Sequence, residues 1–221
     1  MKKYKLTGET KTICLPFGTV TLHRIKAVVE FGLVKVGDLG GWIEKEENLS
    51  HEENAWVCGN AKVCGNAKVY DNAKVCGNAW VYDNTWVYDN AWVCGDAKVY
   101  GDAKVCGDAE VYGDAEVYGN SEVRGNAKVC GNAKVCGNAK VFSADHVLVI
   151  GAIGSRNDFT TFFRDKDNEI TVKCGCFLGK IDKFLEKVTQ THKDTKHTLA
   201  YRTAVEVAKL QIDLTEKSTR R

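Results

Sequence analysis

From Asn54 to Ser143 one six-residue phrase is repeated fifteen times without an insertion or a deletion. Each unit reads Asn/Asp–Ala–x–Val–y–Gly/Asp, the last closing on Ser143, and the valine position is Val in every unit. The alanine position changes only at Thr85 and Ser121, both small. A fixed internal period specifies a solenoid, in which each unit buries its apolar side chains against its neighbours. Six residues do not match a 3.6-residue helical period, and recurrent Val, Gly and Asn disfavour helix. They do match a short strand and a corner. Ala and Val, two apart, share one face of a strand while x and y share the other. Gly/Asp followed by Asn/Asp then supplies a corner, because these residues accept left-handed backbone angles most readily. Three such sides close an eighteen-residue triangular coil, so fifteen units give about five coils, roughly 24 Å tall at ~4.8 Å per layer.

Residues eighteen apart should then stack, and like charges should avoid one another. The x positions form the columns Trp56-Lys74-Trp92-Glu110-Lys128, Lys62-Trp80-Lys98-Glu116-Lys134 and Lys68-Trp86-Lys104-Glu122-Lys140. No two like charges are vertical neighbours. Each lysine has an indole for cation–π contact or a carboxylate for an ion pair above or below it. The y positions group Cys58, Cys76, Cys94 and Cys130 on one face, Cys64 and Cys136 on a second and Cys106 on the third. Stacked cysteines lie within bridging distance, but parallel outward side chains rarely reach the required torsion, so free thiols acting as small apolar packing groups are expected.

Ordering a coil costs more conformational entropy than its own valines return, so the prism needs caps. Residues 1–53 read as a β cap. Tyr4–Leu6, Thr12–Leu15 and Val20–Phe31 carry strand patterns, and Ile43 and Leu49, six apart, predict one irregular coil. Residues 144–221 read as a small α+β domain: a strand over Val147–Ile153, a hairpin of Phe159–Arg164 and Glu169–Cys174 around residues 165–168, then amphipathic helices over Leu178–Thr191 and Lys196–Leu214. The first helix should bury Phe184, Leu185 and Val188, and the second Leu199, Ala204, Val207, Ala208 and Ile212. The domain carries fourteen Lys/Arg against eleven Asp/Glu, the only basic excess in the chain.

Net charge of +2 with 44% hydrophobic and 27% charged residues argues against a disordered polyelectrolyte and against a nucleic-acid polymer as partner. No apolar run reaches the ~18 residues of a membrane span, and Met-Lys-Lys-Tyr-Lys leads into no signal-like apolar segment, so a non-membrane protein in a reducing compartment is expected. The ten cysteines carry no zinc pattern: Cys174-Gly175-Cys176 is too tightly spaced, and His192 and His197 sit near helix ends where solvation is the ordinary state. No metal or cofactor is expected. The most suggestive stretch is Gly151–Asp158, directly after a strand. Its glycine turn exposes backbone N–H groups, and Ser155, Arg156, Asn157, Thr160 and Thr161 add donors suited to an anion. It is neither a Walker A loop nor a complete G-x-G-x-x-G, and a turn that satisfies its own backbone is the plain alternative. Arg164, Tyr201 and Arg202 could line the same anionic site.

The N-A-x-V-y-G run resembles the hexapeptide repeat of left-handed parallel β-helix proteins. The resemblance implies the left hand, against the right-handed preference of ordinary parallel crossovers. The fold expected is therefore mainly β, a left-handed parallel β-helix of about five coils between an N-terminal β cap and a C-terminal α+β domain. The resemblance also implies a homotrimer and brings acyltransferase activity into view. The coils have no histidine between His51 and His146 to serve as base, and the three-histidine zinc set of the γ-class carbonic anhydrases is likewise missing, so catalysis is not expected. G-D-L-G-G-W-I-E-K-E-E-N-L-S (37–50), together with V-I-G-A-I-G-S-R-N-D-F-T-T-F-F-R (149–164) and C-G-C-F (174–177), is similar to phage- and prophage-encoded hexapeptide-repeat proteins. That likeness implies an accessory protein of the host cytoplasm. The resulting expectation is a non-enzymatic, trimeric anti-defence protein that sequesters a small anionic, nucleotide-type immune signal through Ser155, Arg156, Asn157, Thr160, Thr161, Arg164, Tyr201 and Arg202. A scaffold or adaptor solenoid is the alternative, with a hexapeptide-type acyltransferase or an enzyme built on Cys174 or His192 behind it.

Overall fold

The structure, a computed structural model, describes residues 1–15 and 18–215; Pro16, the single proline, lies outside them. Each six-residue unit forms one two-residue strand, from β4 (Trp56–Val57) to β18 (Lys140–Val141). The strands stack into three parallel sheets with residues eighteen apart in register, as in Trp56↔Lys74↔Trp92↔Glu110↔Lys128. Alanine and valine of every unit point into the prism and are buried. Thr85 and Ser121 are accommodated because their hydroxyls donate to the carbonyls of Tyr82 and Tyr118, three residues back, at 2.8 and 2.6 Å. Apart from long corner bonds such as Ala61 N–H to Cys58 O at 3.2 Å, backbone bonds run from coil to coil, for example Trp92 N–H to Ala109 O and Cys94 N–H to Val111 O, both 2.9 Å. A coil therefore has little stability of its own.

The outer columns stack as their charges dictate. Trp86 lies between the ammonium groups of Lys68 and Lys104, 5.8 and 5.5 Å from its ring, and Lys62 lies 4.5 Å from Trp80. Below them Lys128 pairs with Glu110 at 3.2 Å, Lys134 with Glu116 at 3.6 Å, and Lys140 with Glu122. Tyr82, Tyr100 and Tyr118 form a parallel ring ladder at 5.0 and 4.9 Å. One cysteine expectation is corrected: Cys58 and Cys76 form a disulfide across adjacent coils, with Cα atoms 4.7 Å apart. The layer spacing itself supplies the bridging distance.

Corner residues hold positive φ, whether glycine or aspartate. Asp71, Asp83 and Asp89 recover part of that strain, since each carboxylate accepts the backbone N–H of the corner one coil on, at 3.2, 3.1 and 2.9 Å. Gly95, at φ +71, has glycines above and below, and a Cβ there would lie 2.9 Å from Gly113 N. Gly95→Ala is expected to cost about 1–2 kcal/mol from the left-handed conformation alone. Gly95→Asp should cost less, because its carboxylate can bond the next corner's N–H. Denaturant midpoints of the two variants check this, and equal loss would refute it.

At the upper end β1 (Tyr4–Leu15) and β2 (Gly18–Ala27) form a long hairpin, and β2 pairs with β3 (Leu39–Ile43). β3 continues the solenoid: Ile43 stacks on Val63 and Leu49 on Val69. These offsets are twenty residues, so the irregular coil is two residues longer than a repeat coil. Tyr4 is buried above it, its hydroxyl donating to Leu49 O at 2.8 Å. The hairpin's far half packs Ile13 and Leu22 against Cys64, with Trp80 and Tyr82 alongside.

The lower end is closed by an antiparallel sheet in chain order, β19 (Val147–Ile153), β20 (Asp158–Arg164), β21 (Ile170–Cys174) and β22 (Phe177–Lys180), followed by α1 (Ile181–His192) and α2 (Lys196–Gln211). Alternation along β20 divides the sheet's two faces. Phe163 is buried against the solenoid core and Phe162 against the helices. Residues 178–180, expected to begin a helix, instead complete a tight hairpin in which Cys174 pairs with Phe177. The second helix also turns differently from its expected apolar face. Thr198, Tyr201, Ala204, Val205 and Ala208 are buried, whereas Leu199 and Val207 are 68% and 43% exposed. Tyr201 takes the inward position because its ring packs edge-on to Phe184 at 5.3 Å.

Candidate functional site

The pairing of β20 with β21 sorts the candidate side chains. Thr161 lies opposite Lys173 and Thr160 opposite Cys174, so the two pairs occupy opposite faces of the sheet. Thr161 faces the solenoid, where its hydroxyl oxygen accepts the Lys134 N–H at 2.9 Å. Thr160 faces the helices, where its hydroxyl donates to Cys174 Sγ at 3.3 Å, and that thiol donates to Tyr201 OH at 3.7 Å. The two threonines therefore cannot hold one ligand together.

Ser155, Arg156 and Asn157 are exposed in the turn between β19 and β20. Asn157 holds a left-handed φ of 50 and its N–H donates to Gly154 O at 3.4 Å. Gly154 is required there, because a Cβ would lie 1.9 Å from the Tyr201 hydroxyl. Burial, and then the Cys174 contact, push that hydroxyl up to about 12, with the nearby Arg156 cation opposing them. Arg164 is buried and committed: it donates to Asn168 Oδ1, lies 3.5 Å from His146 and packs over Phe142. Arg202 lies on the outer side of the helix pair, 3.4 Å from Thr189 Oγ1. Of the eight expected residues, the structure thus sets Thr160 and Tyr201 together on the helix side and Thr161 on the solenoid side, leaves Ser155, Arg156 and Asn157 exposed in the turn at the sheet's end, and places Arg164 and Arg202 elsewhere.

The opening nearest these groups lies between the last coil and the sheet. Asn132, Lys134, Asp158, Phe159, Thr161, Lys173 and Gly175 line a cleft of about 140 Å³. Lys134 comes from the solenoid and Lys173 from β21; burial holds the nearby Cys136 thiol above its ordinary range, and the Tyr118 contact and these two cations offset that only in part. The Lys173 ammonium donates to Gly175 O at 2.7 Å. Arg156 borders the same place: a Cβ on Gly175 would be 2.7 Å from its guanidinium. Among the described residues no ion pair involves Arg156 or Lys173. Asp158 is the one carboxylate in the lining, and Lys134 is paired with Glu116 at 3.6 Å, so the cleft's positive charge comes from Lys173 with Arg156 at its edge.

A longer groove of about 600 Å³ continues up one corner of the prism, sharing Asn132 and Lys134 and adding Asn78, Trp80, Asp96, Lys98, Asp114 and Glu116. Sequence reasoning missed Lys134, Lys173 and Asn132, since Asn132 and Lys134 come from one repeat unit that looks like the others. Among the described residues no group of three or more His, Cys, Asp or Glu is placed to hold a metal ion, and no helix is long and apolar enough to cross a membrane. Comparison with known families finds no matching family model, and comparison with curated proteins finds no match.

Proposed function

We propose that the chain is a non-enzymatic binding protein that sequesters a small anionic ligand of nucleotide type at the junction of solenoid and C-terminal sheet. The observation that carries this reading is a cleft lined by Lys134, Lys173 and Thr161, with the Arg156 guanidinium at its Gly175 edge. Two ammonium groups and a guanidinium suit a phosphoryl group, which accepts charge-assisted hydrogen bonds on several oxygens. A volume of about 140 Å³ holds that group and little more, and ligand sites for whole small molecules run to roughly 300–1,000 Å³. The remainder of the ligand lies along the adjoining groove, where Trp80 offers a stacking face and Asp96, Asp114 and Glu116 accept hydrogen bonds from hydroxyl or amino groups. Capture requires affinity alone, in keeping with coils that carry no histidine.

The likeness to phage and prophage hexapeptide-repeat proteins supports an accessory role in a bacterial host's cytoplasm, with a nucleotide signal of host defence as ligand. Trp86 and Trp92, 42% and 47% exposed, support self-association through the outer faces, in line with the trimer that the resemblance implies. The test is equilibrium binding to a panel of cyclic and linear nucleotides, with recovery of the ligand after heat release. Intact ligand is expected, and Lys173→Glu combined with Arg156→Glu should weaken binding at least tenfold without altering the circular dichroism spectrum. A changed product would make the protein an enzyme. No binding by any nucleotide would leave the scaffold reading in its place.

A further inference from the structure

We infer that Cys58, Cys76 and Cys94 form a thiol–disulfide exchange site, in which the bond joining the first two coils can move one coil along the prism. The three cysteines occupy the same position in consecutive coils of one sheet. Their backbones repeat one pattern: Cys58 N–H donates to Val75 O and Cys76 N–H to Val93 O, both at 2.9 Å. The register that sets Cys58 on Cys76, with Cα atoms 4.7 Å apart, therefore sets Cys76 on Cys94. Cys94 carries a free thiol and is half-buried. The next position in the column is Tyr112, so the run of sulfurs ends after three.

Exchange needs an attacking thiolate, a central sulfur and a leaving sulfur near one line. A column of three cysteines along the stacking axis provides that order without displacing the backbone. Cys94, after losing its proton to solvent, attacks Cys76 Sγ; the Cys76–Cys94 bond forms, the Cys58–Cys76 bond breaks, and Cys58 leaves as a thiolate that takes up a proton. No net oxidation occurs, and no external oxidant is consumed by the shift. Burial, and then the Glu110 carboxylate, hold the Cys94 thiol above its ordinary range, so the shift should quicken as pH rises.

The place of the bond has a structural consequence. Cys58 and Cys76 line a groove of about 450 Å³ with Phe31, Trp56 and Trp92 at the junction with the N-terminal cap. With the bond at Cys58–Cys76 the irregular upper end of the prism is stapled to the groove wall. After the shift a free thiol stands in the groove and the staple lies one coil below.

The test begins by oxidising the full chain with oxidised glutathione and holding it at pH 8.5 before acid quenching, alkylation and peptide mapping. Two populations are expected, one with Cys94 alkylated and linked Cys58–Cys76, the other with Cys58 alkylated and linked Cys76–Cys94. In Cys94→Ser the alkylation of Cys58 should fall to background. In Cys58→Ser, glutathione oxidation should link Cys76 to Cys94, and this variant reads the second register directly. Failure to alkylate Cys58 in the parent chain, or glutathione adducts on both Cys76 and Cys94 in place of their link, would overturn the inference.

Discussion

Val99→Asp is expected to abolish folding of the solenoid. Val99 is fully buried and stacks between Val81 and Val117 in the middle coil. Its surroundings are the alanine and valine columns, which offer a carboxylate no cation and no hydrogen-bond donor. An unpaired charge in such a place costs several kcal/mol after relaxation, against a total stability of about 5–15 kcal/mol for an ordinary domain. The position makes the effect larger than at an end, because each coil is stabilised only by its neighbours and a break at the middle leaves two short stacks. Circular dichroism and soluble yield measure it. Val99→Ala, which removes two methyl groups without adding charge, should remain folded and lose on the order of 2 kcal/mol. A soluble, fully folded Val99→Asp would show that the core is not dry.

Phe163→Ala is the second large effect. Its ring is buried on the solenoid side of the sheet and belongs to the same apolar cluster as the valine column. The surrounding polar links are few and specific: Lys134 N–H to Thr161 Oγ1 at 2.9 Å, and Lys166 N–H to Asn138 O at 3.0 Å. Truncating a buried phenylalanine costs about 3–5 kcal/mol, and here the loss falls on the contact that keeps the cap in place. Once the cap lifts, the last coil presents the open edges of three parallel sheets, which template pairing with another chain. The variant should therefore form concentration-dependent assemblies by light scattering while retaining its β signal. Phe162→Ala, one residue away, faces the helices instead. It should loosen α1 and α2 to protease and leave the solenoid monodisperse relative to the parent. Identical behaviour of the two variants would contradict the division of the sheet into a solenoid face and a helix face.

The repeat makes the coils legible from the sequence. A residue's vertical neighbours are fixed by counting eighteen, so the sequence predicts the Lys–Trp and Lys–Glu columns that the structure holds. The same counting located the cysteine column, but not its bond. Whether two stacked sulfurs meet depends on side-chain torsions that no spacing contains, and Cys58 and Cys76 join while Cys94 does not.

The candidate site was legible only in part. Its basic end and the Ser155–Asn157 turn could be picked out by charge and glycine content. The grouping could not, because the hairpin between β20 and β21 is one residue longer than a four-residue turn would make it: Arg164 pairs with Ile170, not Glu169. In a strand, one residue of register exchanges the two faces, so that single residue decides that Lys173, and not Val172, stands opposite Thr161. The helix faces failed for a related reason. Leu199 and Val207 fit an apolar stripe, but the space under the sheet is shaped for the Tyr201 ring beside Phe184, and the helix rotates to fill it.

Local period and composition alone determined that fifteen units stack in parallel, which side chains are dry, and that both ends need covering, because nearest-neighbour contacts in a repeat are set by sequence separation. Only the tertiary structure decided which lysines meet across the junction, which cysteines bond, and which face of the closing sheet lies on the prism. Those contacts join segments with no common period, and their partners are chosen by how two independently folded surfaces fit.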